Sequence, residues 1–119
     1  MLTATCHCGA VTVSIPQRPR TITNCNCSIC RRYGARWAYY QAAEVRVIAA
    51  RGATARYSWG DRMLAFVRCA HCGTVTHWKG VGRRAGGRMG VNARNFDPGD
   101  IATVRVRRLD GAGSWKFLD

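Results

Sequence analysis

From Ala10 to Ile15 apolar and polar side chains alternate, with Val11, Val13 and Ile15 on one side and Thr12 and Ser14 on the other. A period of two predicts a strand buried on one face. Pro16 and Pro19 then break it and turn the chain. The β-branched Thr21-Ile22-Thr23 leads into Cys25–Cys30, and Ser28 to Tyr33 is expected to curl into a turn or short helix stopped by Gly34. Arg36 to Gln41 reads as an aromatic strand with Trp37 and Tyr39 on one face. Further strands are expected at Val45 to Ala49, at Thr54 to Trp59 before a Gly60-Asp61 turn, and at Met63 to Arg68. Val75 to Lys79 completes a hairpin with that last strand, and Val104 and Val106 alternate with Arg105 and Arg107 in another. Residues 80–90, rich in glycine and arginine without apolar period, predict a flexible loop and a candidate lid. Beyond Asp110 the tail contains glycines, and its Trp115 and Phe117 are candidates to dock on the core. The pattern predicts one domain over residues 1–119, mainly β, of six to eight short strands with almost no helix.

Seven cysteines change this picture, because they fall into sets. Cys6-His7-Cys8 and Cys69-Ala70-His71-Cys72 together supply four thiolates, the full complement of a structural zinc. Gly9 would let the first of these turns fold its amides toward the sulfurs. The remaining three, Cys25, Cys27 and Cys30, have no histidine or carboxylate close in sequence to complete a fourth ligand. An open coordination position usually separates a metal that does chemistry from one that holds a fold. From spacing alone the triad also fits buried thiols, a disulfide, or a partly filled structural site borrowing His71 or His77. A metal already neutralised by three thiolates acidifies water poorly and favours a soft fourth ligand, which points to chemistry on sulfur rather than hydrolysis. A substrate thiol held there would be deprotonated, and nucleophilic toward a small aldehyde.

Charge adds less. Nineteen Lys and Arg against six Asp and Glu give a formal +13, with only Lys79 and Lys116 as lysines. Such a field attracts anions in general, yet no basic run is interleaved with aromatics as a nucleic-acid stripe would be. The six acidic residues form no pair for two-carboxylate catalysis. His7 and His71 lie between ligand cysteines and are expected to point away from the metal, while His77 could be core or site. Trp37, Tyr39, Tyr40 and Trp59 are expected in the core rather than as a ligand platform. Arg31, Asn92 and Arg94 are the candidate substrate-binding residues. No apolar run nears the ~20 residues of a membrane span, and Cys6 leaves no room for a leader, so a cytoplasmic protein with reduced thiols is expected.

Cys6-His7-Cys8-Gly9-Ala10-Val11, Cys25-Asn26-Cys27-Ser28-Ile29-Cys30-Arg31, Cys69-Ala70-His71-Cys72-Gly73 and Gly90-Val91-Asn92-Ala93-Arg94 follow one another in a familiar order. The chain resembles the glutathione-dependent formaldehyde-activating (CENP-V/GFA) family over nearly its whole length. The resemblance implies a β-tent-like domain of short antiparallel strands and two zinc ions. Cys6, Cys8, Cys69 and Cys72 would hold the structural zinc, and Cys25, Cys27 and Cys30 a second, catalytic and more labile one. It implies carbon–sulfur lyase or synthase activity, condensing glutathione with formaldehyde into S-hydroxymethylglutathione. Asn26 stands where the family often has histidine or serine, and the chain lacks the founding enzymes' longer N-terminal extension. The rival reading is a non-enzymatic zinc module that binds nucleic acid or a protein through its arginine surface; arginines gathered around a pocket at the triad would favour the enzyme.

Overall fold

The computed structural model describes all residues 1–119 and contains ten strands. They are β1 (Leu2–Thr5), β2 (Val11–Ile15), β3 (Thr21–Cys25), β4 (Trp37–Gln41) and β5 (Arg46–Ala49). There follow β6 (Thr54–Tyr57), β7 (Leu64–Cys69), β8 (Val75–Gly80), β9 (Arg88–Asn92) and β10 (Arg105–Leu109). Helix is confined to α1 (Ser28–Tyr33), α2 (Pro98–Ile101) and three single turns of 3-10 helix. The protein is mainly β, as the alternating pattern predicts.

Strands β1, β2 and β5 form a small antiparallel sheet, and the other seven form a large one in the order β10-β3-β4-β9-β8-β7-β6. Every strand pairing is antiparallel except β10 with β3, where Arg105 lies beside Thr21 and Leu109 beside Cys25 in parallel register. The expectation of antiparallel strands alone is corrected at this edge. A turn of 3-10 helix over Ala93–Asn95 and then α2 separate β9 from β10, and a long connection of that kind is what a parallel pairing needs.

The two sheets face each other across a core of Ala4, Val13, Ile15, Ile22, Ala38, Tyr40, Val91, Ala93 and Phe96. Val11, Val13 and Ile15 are completely enclosed while Thr12 and Ser14 are not, so period-two burial accounts for β2. Burying each such side chain contributes about 1.5–3 kcal/mol. Strand β4 is buried on both faces: Ala38 and Tyr40 enter this core, whereas Trp37 packs with Cys25, Cys30, Ala35 and Phe66 on the opposite face. That opposite face of the large sheet carries the cysteine triad.

Two further expectations need correction. Residues 80–90 are not one irregular loop. They comprise the end of β8, a 3-10 turn at Gly82–Arg84, and the start of β9. β9 escapes the alternation rule because Met89, Gly90, Val91 and Asn92 are all buried, leaving no polar face. Gly90 is required there: it pairs with Trp78, and an added Cβ would sit 2.0 Å from the Trp78 indole nitrogen. The second is the strand count, expected at six to eight: ten form, among them the four-residue β1 just before Cys6, for which the pattern predicts nothing.

Candidate functional site

The cysteines meet as two clusters, Cys6, Cys8, Cys69 and Cys72 in one and Cys25, Cys27 and Cys30 in the other, with the sulfurs of each within 4.8 Å of one another. No disulfide ties any of them and no histidine joins either set. The four-cysteine set is built from two matching turns. In the β1–β2 turn the Gly9 amide donates to the Cys6 carbonyl, and in the β7–β8 turn the Gly73 amide donates to the Cys69 carbonyl. Gly9 and Gly73 both adopt left-handed φ, +86° and +79°, a conformation costly for other residues. The tightened turns aim amides at sulfur: Val11 N–H lies 3.3 Å from Cys6 Sγ, and His71 and Cys72 N–H lie 3.4 and 3.5 Å from Cys69 Sγ. Hydrogen bonds from the Thr74 side chain and backbone lower the Cys72 thiol to about 5. Cys8 and Cys69 sulfurs are 3.6 Å apart across 61 positions of sequence. Four converging sulfurs with amides aimed at them fit a tetrahedral zinc, whose S–metal distances of about 2.3 Å bring sulfurs to this mutual spacing.

The triad starts at the end of β3 and continues into α1, for which Cys27 is the N-cap and Gly34 the left-handed stop. Cys25 and Cys30 are buried and Cys27 is half-buried. The Cys27 amide lies 3.5 Å from Cys25 Sγ, and the Trp37 indole N–H donates to Cys30 Sγ at 3.2 Å. The hydrogen bond with Cys30, helped by the Cys27 amide, pulls the Cys25 thiol down to about 6. The same bond, with burial, pushes Cys30 up. With the three sulfurs within 4.8 Å of one another, the thiolates would suit a soft divalent cation. The donor set fits zinc, with one ligand fewer than its neighbour cluster.

A cavity of about 890 Å³ opens beside the triad, with Cys25, Cys27 and Cys30 in its lining. Trp37, Tyr39, Trp59, Trp78, Trp115 and Phe117 contribute aromatic walls, and Arg83, Arg84 and Arg88 supply positive charge. The Arg88 guanidinium stacks 4.5 Å above the Tyr39 ring. The aromatic residues therefore divide: Tyr40 lies in the inter-sheet core, Trp37 is buried and also faces the cavity, and Trp59 is half-exposed at the cavity. Arg31, Asn92 and Arg94 are not among the lining residues. Arg31 is exposed on α1. The buried Asn92 donates its side-chain amide to the Val75 carbonyl and accepts from the Arg94 amide, while the Arg94 side chain donates to the Gly34 carbonyl. The cavity arginines come from the 80–90 segment, Arg83 and Arg84 from its 3-10 turn and Arg88 from the start of β9, the strand that glycine hid. His77 is a core residue: it is buried, its Nδ1 lies 2.8 Å from Thr76 Oγ1, and that hydroxyl donates to the Val67 carbonyl. The Thr76 proton being committed to Val67, His77 donates through Nδ1–H as the neutral ring. Burial first, and Lys79 second, lower it to about 4.

The tail is the other part of the site that pattern reading missed. The Asn26 side chain, inside the triad loop, donates to Asp110 Oδ1 at 3.0 Å and accepts from the Ala112 amide at 2.9 Å. Asp110 also receives the Ser114 amide and hydroxyl on Oδ2, and its carbonyl receives the Trp115 amide. Between these anchors Gly111 presses onto the triad; a Cβ there would lie 2.5 Å from Cys25 Sγ and 3.1 Å from Cys27 Cβ. A lone Asn in place of the usual residue, followed far downstream by Asp-Gly, was the available signal.

Fold and site together define a mainly β protein with one closed four-thiolate cluster and one open three-thiolate cluster facing a basic, aromatic cavity. The chain belongs to the glutathione-dependent formaldehyde-activating enzyme family, whose model matches residues 1–107. It is also similar to the crystal structure of a Rhodobacter sphaeroides protein, at 30% identity and a TM-score of 0.71, over 88% of this chain and 99% of that one.

Proposed function

We propose that the protein is a zinc-dependent carbon–sulfur lyase or synthase acting on a thiol adduct, with glutathione and formaldehyde the first candidate pair. The observation that carries this reading is the contrast in surroundings. The complete cysteine set lies between two turns with all four sulfurs converging, although Cys8 is exposed, while the incomplete set opens onto a cavity that holds three arginines. When bound by Cys25, Cys27 and Cys30, zinc would supply the stabilisation that keeps a substrate thiol deprotonated near neutral pH. The protein's own groups do the rest. Arg83, Arg84 and Arg88 offer forks for the carboxylates of an acidic thiol. The Trp37 and Cys27 N–H groups fix the triad sulfurs, and the aromatic walls limit water at the reacting atoms. In the synthase direction the sulfur bonds to the aldehyde carbon, the carbonyl π bond opens, and the thiol proton ends on the new hydroxyl. The lyase direction reverses each change, with no net redox.

Free thiols of this kind suit a reducing, cytoplasmic setting, and no helix is long and apolar enough to cross a membrane. The test is turnover of S-hydroxymethylglutathione by the zinc-loaded protein and by Cys27→Ala. The expected result is loss of turnover in the variant with the fold retained. Full turnover by a Cys27→Ala protein with no metal at the triad would overturn the reading.

A further inference from the structure

Formaldehyde brings a single carbon to this reaction, yet the cavity beside the triad measures about 890 Å³. Its positive charge and its most exposed aromatic rings come from different segments. Arg83, Arg84 and Arg88 belong to the β8–β9 connection and the start of β9, whereas Trp59, Trp115 and Phe117 come from the β6–β7 turn and the tail. These three aromatics are 46%, 67% and 40% exposed, so they contribute little to the core and present their rings at the opening.

Trp115 is the most informative of them. Its φ is +58°, a left-handed conformation that bulky residues rarely adopt and that strains the backbone. The Asp110 carbonyl holds its amide at 2.8 Å, and the Asn26 side chain holds the same tail to the triad loop. A Cβ on Gly111 would touch Trp115 Cζ3 at 3.4 Å as well as the triad atoms, so the ring stands immediately beside Cys25 and Cys27. Phe117 is fixed in turn by the Arg107 guanidinium, 3.8 Å above its ring, and by a bridge from its backbone to Leu109. The family match ends at residue 107, short of Asp110, Gly111, Trp115 and Phe117. An exposed indole kept in a strained conformation, next to the sulfurs and pinned by a dedicated network, has no role in folding that its burial would explain.

We infer that the tail makes this site selective for adducts of an anionic thiol with an apolar carbonyl compound, an aromatic or branched aliphatic aldehyde, with Trp115 and Phe117 as the residues that determine specificity. The inference rests on the thiol-adduct reading above and names the part of the substrate that reading leaves open. The thiol's carboxylates meet Arg83, Arg84 and Arg88, its sulfur meets the triad, and the aldehyde body packs against Trp59, Trp115 and Phe117. The bond changes are those of the formaldehyde case: the carbon–sulfur bond forms, the carbonyl π bond opens and the thiol proton goes to oxygen.

Calorimetry on the zinc-loaded full chain tests it with S-benzylglutathione and S-methylglutathione, whose sulfur is already alkylated and cannot react. The wild-type protein should bind the benzyl compound at least about tenfold more tightly, the effect expected from burying one aromatic ring. The Trp115→Ala/Phe117→Ala double variant should narrow that ratio to about twofold, and Trp115→Phe should keep most of it. Equal affinities in the wild type would overturn the inference, and so would an undiminished ratio in the double variant. Should the double variant fail to fold, the wild-type ratio and the Trp115→Phe variant still decide. A preserved benzyl preference in a protein that cannot turn over any hydroxyalkyl adduct would support the pocket's selectivity while refuting the lyase reaction. Turnover of the formaldehyde adduct without a benzyl preference would refute the selectivity alone.

Discussion

One cysteine cluster is surrounded by backbone and the other by side chains. Around Cys6, Cys8, Cys69 and Cys72 the neighbours are turn amides, Val11 and Thr74, and the cluster joins the hairpin of the small sheet to the β7–β8 turn of the large one. Around Cys25, Cys27 and Cys30 the neighbours are Trp37, Asn26, Gly111 and an open cavity. The same residue type thus forms two sets, which differ in the number of sulfurs and in what lies beside them. On the function proposed above, four sulfurs would complete the coordination of a structural metal, while three sulfurs beside a cavity would leave a place for a substrate sulfur. The fold keeps them independent, because the staple links the sheets at their ends while the triad lies on the outer face of the large sheet.

The sharpest break in this comparison should come from the staple. Structural zinc contributes about 10–16 kcal/mol of apparent binding energy, comparable to a domain's whole stability of about 5–15 kcal/mol. Cys69→Ser removes a completely buried ligand and is expected to abolish cooperative unfolding, as circular dichroism during heating will register. A Cys69→Ser protein with wild-type melting and full zinc would end the structural assignment. Next in size is Gly111→Ala. Its Cβ has no room against Cys25 Sγ and Cys27 Cβ, so triad metal content should fall severalfold while the four-cysteine metal stays, a difference that metal analysis resolves. Retention of both metals by Gly111→Ala would show that the tail does not press on the triad.

A smaller effect concerns His77, which belongs to neither cluster. Its folded value near 4 lies below the ordinary 6.5, so the unfolded chain takes up the proton first. The stability this provides is complete above about pH 6.5 and is lost as pH falls toward 4. By pH 5 the wild type should lose about 2 kcal/mol relative to its own value at pH 7.5, a loss that His77→Gln escapes. Urea midpoints of the two proteins at both pH values check this; parallel losses would place His77 outside the core. Smallest is the effect on the rival reading of the arginine surface. A formal +13 should bind long DNA only weakly, with affinity that collapses by ~0.2 M salt. Sequence-dependent binding that survives such salt would favour a nucleic-acid module over an enzyme.

Much of this arrangement could be read from the residues because cysteine spacing and period-two burial are local signals. Ser28–Tyr33 is helical and Val11–Ile15 is a half-buried strand where pattern places them. What failed was non-local. β9 has no polar face to alternate, since the Trp78 ring occupies the space over Gly90 and inter-sheet packing covers Val91. Arg31 and Arg94 follow the motifs in sequence, but whether an arginine reaches the cavity depends on strand register, which brings Arg88 opposite Gln41 and over Tyr39 instead. The tail gave no periodic signal at all, because it is held by side-chain-to-backbone bonds around Asp110 rather than by a strand's ladder.

The central claim is that the two clusters hold metal for different purposes, and staged chelation tests it most directly. Zinc-loaded protein would be titrated with a mild chelator while zinc released, thiol-adduct turnover and melting temperature are followed together. The account predicts that one zinc per chain leaves first, that turnover disappears with it, and that the melting temperature holds until the second zinc is stripped. Release of both metals in a single step with unfolding would contradict it, as would loss of the first zinc with turnover intact.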